Sequence, residues 1–288
     1  MEDLPPVNTV RQGRASETAL RVAQARAVHQ LLDEPIVFDD PLALRILGAE
    51  QEAALREDPF VLNDPIQRAM RAGVVVRACF AEDDLARAVA AGVRQFVVLG
   101  AGLDTFAYRN PYAGLQVFEV DHPSTQAWKR RLLAEAGIAA PVELTYVPVD
   151  FEHQTLADSL AAAGFRGDQP ACLSWLGVTM YLTEAAILET LRFVAGLAKG
   201  SSITFDFQVT EEVMNPVERV ASQLVAKMIA AMGEPWLSAF EPADLQRKIL
   251  ALGFAEARFI DGPELNQLYF HRRKDGLHNN ARLICARV

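Results

Sequence analysis

The chain has 288 residues, 51% of them hydrophobic and 23% charged, a balance that excludes a disordered or fibrous polymer and allows a sizeable core without staples. Its 28 basic residues against 37 acidic ones give a formal net charge of −9, so no basic surplus exists to neutralise phosphates, and a nucleic-acid or anionic-membrane partner is disfavoured. Cys79, Cys172 and Cys285 lie far apart in apolar stretches and read as reduced, buried thiols. The N-terminal MEDLPPVNTVRQGR lacks the apolar core of a signal peptide, and no run approaches the ~18 apolar residues of a membrane span, so a soluble, cytoplasmic protein is expected.

Residues 16–91 read as helical: SETALRVAQARAVHQLL, a turn at DEPIVFDDP, LALRILG, and then IQRAMRAGVVVRACFAEDDLARAVA, stopped by Gly92. From residue 93 the pattern changes. RQFVVLG is an apolar run ending in glycine, as a strand buried on both faces should be. LDTFAYR starts a helix, LQVFEVD is a second strand, and Pro123 to Ala136 a second helix, with Pro123 suited to a first turn. ELTYVPVD, ACLSWLGV and SITFDF are further strands, separated by the helices QTLADSLAAAG and EAAILETLRFVAGLAK. Thr183 can cap the latter, whose Ile187, Leu191, Val194 and Ala198 share a face. A long helical stretch, EEVMNPVERVASQLVAKMIAAM, delays the next unit, and EPADLQRKILALG, FAEARFI and RLICARV complete the chain.

Strands alternating with helices at this spacing predict an α/β fold, a Rossmann-like, mostly parallel sheet of seven strands. The seventh strand is expected as an addition at the sheet edge. A single domain is expected, divided into a helical cap (1–92), a core (93–207), a helical insertion or lid (208–240) and a final helix with strands (241–288).

The strongest local signal is Gly100-Ala101-Gly102-Leu103-Asp104-Thr105, between a strand and a helix. Glycines there let a ligand approach backbone N–H groups. Asp121 follows about 20 residues later, at a strand end where an acid can bind ribose hydroxyls. A dinucleotide fingerprint wants a third glycine where Thr105 stands. It also wants no acid in the first turn, where Asp104 would repel a pyrophosphate but suit a cation. S-adenosylmethionine has a sulfonium, an amine, a ribose and an adenine, and no phosphate. Asp150, ending the third strand, is placed for the adenine amine. Asp104 reads equally as a helix cap.

The segments VVLGAGLDTFAYR, VFEVDHP, VPVDFE and WLGVTMYLT resemble the leucine carboxyl methyltransferase family of class I S-adenosylmethionine-dependent methyltransferases, and in particular its bacterial branch of metabolite O-methyltransferases. The likeness covers roughly residues 15 to 207. It implies that Arg77 holds the ligand's carboxylate, that Gly100, Ala101 and Gly102 pass under its methionine portion, and that Asp121 binds the ribose, with Glu119 a rival and His122 beside it. It implies too that Asp150 and Phe151 flank the adenine. Many members have Glu where this chain has Leu176, so the ammonium contact must come from backbone or elsewhere. Arg109 and Tyr181 are the candidate acceptor-side residues, Arg109 as either a cation for an acidic acceptor or a structural partner of a neighbouring carboxylate, and Tyr181 as either an aromatic wall or a substrate contact.

The expected activity is methyl transfer from S-adenosylmethionine to a carboxylate or hydroxyl of a small-molecule acceptor. The rivals are a nicotinamide-dependent oxidoreductase and a catalytically silent S-adenosylmethionine-binding module. No GxSxG elbow, HExxH or metal-ligand spacing is present in the sequence.

Overall fold

The structure is a computed structural model, and it describes residues 17–150, 153–275 and 278–288. The N-terminal 16 residues and Phe151 lie outside the described residues. Seven strands form one sheet: β1 (Gln95–Leu99), β2 (Gln116–Asp121), β3 (Leu144–Pro148), β4 (Cys172–Trp175), β5 (Ser202–Asp206), β6 (Glu256–Ile260) and β7 (Leu283–Arg287). Their order is β3-β2-β1-β4-β5-β7-β6. The first five are parallel, and β7 runs antiparallel to both β5 and β6. The expected seven-stranded α/β sheet is therefore present, with one correction. The last strand of the chain is interior, and β6 is the edge. The residues say why: Leu283, Ile284, Cys285 and Ala286 are apolar on both faces and buried, whereas β6 alternates exposed Glu256 and Arg258 with partly buried Ala257 and Phe259. Charged side chains are tolerated at an edge, not between two neighbours.

Helices cover both faces. Alternation along β1 sends Val97 and Leu99 toward α6 (Leu156–Ala162), α7 (Glu184–Ala195) and α9 (Pro242–Ala251), while Phe96 and Val98 pack toward α3 (Pro65–Ala90) and the single-turn α4 (Phe106–Arg109). The helix expected from LDTFAYR is thus only one turn long, and α7 stops at Ala195, leaving Ala198 beyond it. Further along α3, Ala72, Val76 and Phe80 pack on Ile260, Leu283 and Cys285. The three cysteines are free and buried. Among the described residues no helix is long and apolar enough to cross a membrane.

The N-terminal helices α1 (Glu17–Leu32) and α2 (Ala49–Glu57) form a satellite core. Ala23, Ala27, Ile46 and Leu55 bury against Leu103 and against Leu132 and Leu133 of α5 (Pro123–Glu135). Asp33, just past α1, ties this layer to α3. It receives Arg71 through two hydrogen bonds (2.9 and 3.2 Å), Arg273 (3.1 Å) and His29 Nδ1 (2.7 Å). His29 Nε2 accepts the Val37 and Phe38 amides, so the imidazole carries its proton on Nδ1. Burial alone would push the Asp33 carboxyl up, but hydrogen bonds from His29, Arg71 and Arg273 outweigh it and hold it well below the usual carboxylate range.

Removing Asp33 leaves the buried Arg71 guanidinium without a counter-charge, whereas Arg273 keeps Asp275, and Asp33→Ala should cost about 3–5 kcal/mol in urea unfolding at neutral pH. Because its folded pKa is depressed, the contribution is present above the ordinary carboxylate value and fades as pH falls below it. The gap between wild type and variant should narrow at about pH 3. An unchanged gap there would mean that the loss is packing and not charge.

Candidate active site

The site lies at the carboxyl ends of the parallel strands, where open α/β sheets bind ligands. After β1 the chain turns through two glycines with left-handed backbone, Gly100 (φ +67°) and Gly102 (φ +47°). The amides of Gly100 and Ala101 both donate to the Val120 carbonyl of β2 (2.8 and 3.1 Å). A Cβ on Gly100 would lie 2.3 Å from Val178 Cγ2, and one on Gly102 would lie 3.1 Å from Ala19 Cβ in α1. The space beside these glycines is thus taken by the segment after β4 and by the first turn of α1. Both are required by the protein's own packing, and what the turn offers a ligand is backbone.

Asp121 sits beside this turn. Its Oδ2 accepts the Gly102 amide and its Oδ1 the His122 amide, each at 2.6 Å. Burial pushes its carboxyl up, and the two amide hydrogen bonds hold it back. His122 caps α5 by accepting the Ser124 amide. Asp150 follows β3, where Val149 still pairs with the Asp121 carbonyl (2.9 Å), so the two acids stand on adjacent strands. Glu119 does not join them. It is buried, and its Oε2 meets Lys129 Nζ at 2.7 Å on the α5 side of the sheet. Burial pushes its carboxyl up to about 7 against the pull of Lys129. Glu119 shares a face of β2 with Asp121 but lies two residues earlier on the strand, where Lys129 of α5 covers it.

On the other side of the turn, β4 and β5 bring together Arg77, Gly177 and Asp206. Arg77 Nη1 donates to Asp206 Oδ2 and the Gly177 amide to Asp206 Oδ1, both at 2.6 Å. A Cβ on Gly177 would lie 2.6 Å from Arg77 Nη2, so the guanidinium rests on the glycine backbone. The Leu176 side chain packs with Ala72, Val76 and Phe80 of α3, and can offer the site only its backbone. Asp206 is the residue that sequence reasoning missed. Its signal was the alternation of SITFDF, which ends a strand in an acid, but nothing in the sequence aligned it with Arg77.

The N-terminal layer and the segment before α9 close over this edge. Thr18 hydrogen-bonds Glu234, the Leu237 amide donates to Met180 O (2.7 Å) and Ser238 Oγ to Thr179 O (3.1 Å). Tyr181 lies beneath them; burial pushes its phenol up, and interactions with Thr18 and Trp236 only partly oppose it. Arg109 is elsewhere. It grips Glu82 with both terminal nitrogens, meets Thr105 Oγ1 at 3.2 Å and Asp40 Oδ1 at 3.6 Å, and lies over the Phe38 ring. With its donors committed to these partners it is tied into the scaffold, the carboxylate pairing being one of its two expected roles. Asp104 caps α4 through the Phe106 amide (2.8 Å) and pairs with Arg26 (3.4 Å). Burial would raise its carboxyl, but Arg26, Lys129 and Arg109 together hold it low.

Across five adjacent strands the edge thus presents Asp150, Asp121, a glycine turn, and the Arg77–Asp206 pair, in that order. This donor set fits a ligand with an amine and a ribose at one end and an amino-acid head at the other, and it offers a pyrophosphate no cation at the turn. A fold and site of this kind define a class I S-adenosylmethionine-dependent methyltransferase. The model of the leucine carboxyl methyltransferase family matches residues 19–195, and the chain belongs to that family. It is 32% identical to the Bacillus subtilis protein named "putative S-adenosyl-L-methionine-dependent methyltransferase YktD", across 93% of this chain and 95% of that one. A similarly named protein of Mycobacteroides abscessus is 37% identical across 88% of this chain and 75% of its own length. In solved structures, a DUF574 family protein from Streptomyces avermitilis shares the fold with a TM-score of 0.56 at 17% identity, covering 95% of this chain and 97% of that one. The enzyme is an S-adenosylmethionine-dependent methyltransferase.

Asp121→Asn keeps one acceptor for the turn but removes the charge, and should weaken S-adenosylhomocysteine binding by about 1.5–3 kcal/mol in calorimetry. Glu119→Gln should leave that affinity unchanged and lower the melting temperature instead. The reverse pattern would return the ribose role to Glu119.

Proposed function

We propose that the protein is an O-methyltransferase that esterifies or etherifies a small acidic metabolite, a carboxylate or a hydroxyl, and does not act on nucleic acid. The observation that carries this reading is the acceptor side itself: Tyr181 is held protonated by burial, and the groups that act on it are Thr18, Trp236, Glu234 and Arg77, with no histidine among them. A carboxylate acceptor is already ionised at neutral pH and needs none. The net charge of −9 supports a small acceptor over a polyanion, and the family supports carboxyl transfer.

When bound, S-adenosylmethionine supplies a sulfonium-activated methyl group that an acceptor oxygen takes by in-line displacement, leaving a thioether. Arg77, fixed against Gly177 by Asp206, would hold the ligand's carboxylate, and Asp206 would take the ammonium contact that Leu176 cannot make. Asp121, Asp150 and Phe151 would hold the ribose and adenine, with the backbone of Gly100, Ala101 and Gly102 beneath the rest. Tyr181 would donate a hydrogen bond to the acceptor. The helical layer that starts at Glu17 and the segment before α9, joined through Thr18 and Glu234, would form one cover that excludes water around the reacting groups. Alignment of two bound reactants can supply ~7–11 kcal/mol of barrier lowering, which suits an acceptor that needs no base. We place the enzyme in the cytoplasm. The nicotinamide-dependent and catalytically silent readings find no support in the family or in the donor set.

A panel of carboxylates, phenols and tRNA with methyl-labelled S-adenosylmethionine tests this. Label should enter a carboxylate or hydroxyl compound, and kcat/KM for a carboxylate should be flat from about pH 6 to about pH 8, since an acceptor already ionised needs no general base. Labelling of tRNA at low salt would overturn the assignment. Tyr181→Phe should lower kcat/KM by roughly 10- to 100-fold, the worth of a hydrogen bond to a charged group, with S-adenosylhomocysteine affinity intact. Arg109→Lys should lower the melting temperature and activity together, because a lysine cannot replace the two-pronged grip on Glu82.

A further inference from the structure

Helix α3 carries Arg77 into the site, and the same helix face leads away from it. Ile66 and Arg77 are eleven positions apart, about 16 Å along the axis and only about 20° apart around it. Met70 and Gly73 fall between them on that face. Ile66 is exposed and Met70, Gly73 and Arg77 are partly exposed, whereas Arg71, Ala72, Val74, Val75 and Val76 beside them are buried. These four positions therefore make a continuous accessible strip along the helix. At Gly73, in the middle of the strip, a Cβ would meet nothing within 4 Å.

The far end of the strip opens on an apolar cleft of about 400 Å³. Ile66 forms one wall, and Pro216, Val217, Val220, Ala221 and Leu224 of α8 (Pro216–Ala231) form the other. Val217, Val220 and Leu224 are 79%, 59% and 51% exposed, a costly display for a helix whose polar face is well anchored. That anchoring is specific: Asn215 and Glu218 make a capping box, Glu218 also binds Arg282 (3.1 Å), and Gln223 binds Glu211 (2.9 Å). The apolar face is thus held toward α3 by design of its ends, and no charged side chain lines the cleft.

We propose that this strip and cleft are the acceptor's tail site, and that the acceptor is an acid with an extended apolar chain. Its head would lie by Tyr181, its chain over Gly73 and Met70, and its end between Ile66 and Leu224. The proposal rests on the reading of the protein as a methyltransferase of small acids and specifies the acceptor class. The occupant follows from continuity: one face of one helix joins an uncharged cleft to the arginine of the site, over a glycine that leaves the path clear.

The test is a calorimetric titration of butanoate, octanoate and dodecanoate into the protein with and without S-adenosylhomocysteine, alongside methyl transfer to each. Affinity should rise by about threefold to fourfold for each added methylene that enters the cleft. Gly73→Phe, at an ordinary helical position with open space, should lower dodecanoate affinity at least tenfold, about the loss of two buried methylenes. It should leave S-adenosylhomocysteine affinity and the melting temperature near wild type. Leu224→Glu, at an exposed position, should do the same from the opposite wall. Equal affinities along the series, or indifference of dodecanoate binding to both variants, would overturn the proposal. So would a dimer in sedimentation that Leu224→Glu dissociates without touching dodecanoate binding, since a second copy would then be the occupant. If S-adenosylhomocysteine itself failed to bind, the methyltransferase reading would fall, and the titrations without it would still decide whether the cleft takes the chain.

Discussion

Helix α3 is held at three heights by acid–base pairs whose acid is buried, and the remaining structure is arranged around that hold. Arg71 meets Asp33 beyond α1, Arg77 meets Asp206 at the end of β5, and Asp84 meets Arg287 of β7 (2.7 Å) near the helix's other end. Each pair joins α3 to a different layer: the N-terminal helices, the parallel strands and the antiparallel strand. An unpaired charge inside a protein costs several kcal/mol, so each pair forbids the helix from sliding past its neighbours. A 26-residue helix with apolar residues all round could otherwise pack in several registers. These pairs select one, and in that register Arg77 stands over Gly177.

The glycine turn depends on the same layering from the other side. Val178 and Ala19 fill the space where side chains on Gly100 and Gly102 would be, so the turn, the β4 loop and α1 are one packed unit. Asp121 completes it by accepting two amides that would otherwise be orphaned near the sheet edge. A group that binds ligand and also holds the turn it stands beside is preorganised, since its geometry is set before any ligand arrives. Glu119, two residues earlier on the same strand, has the same chemistry and a different fate because Lys129 of α5 reaches it first.

Much of this was legible in the chain. The strands from RQFVVLG to SITFDF, the glycine turn, Asp121 and Asp150 at strand ends, and the likeness to the family all follow from local pattern, because burial on two faces, left-handed turns and strand ends impose residue types directly. Arg77 was legible only through resemblance, since nothing local distinguishes it from Arg71 or Arg87 on the same helix.

What the sequence by itself determined is the kind of sheet, its ligand-binding edge and the class of ligand, because these rest on contacts between residues close along the chain. Only the tertiary structure decided that β7 lies inside β6, that Arg109 belongs to Glu82 and Asp40, that Glu119 is sealed by Lys129, and that Asp206 serves Arg77. Each of those depends on which distant side chain arrives at a buried charge first. Pairing between separate elements, ten residues apart for Glu119 and Lys129 and 129 apart for Arg77 and Asp206, leaves no local periodicity, and a charged residue reads the same in sequence whether its partner is solvent, ligand or another helix.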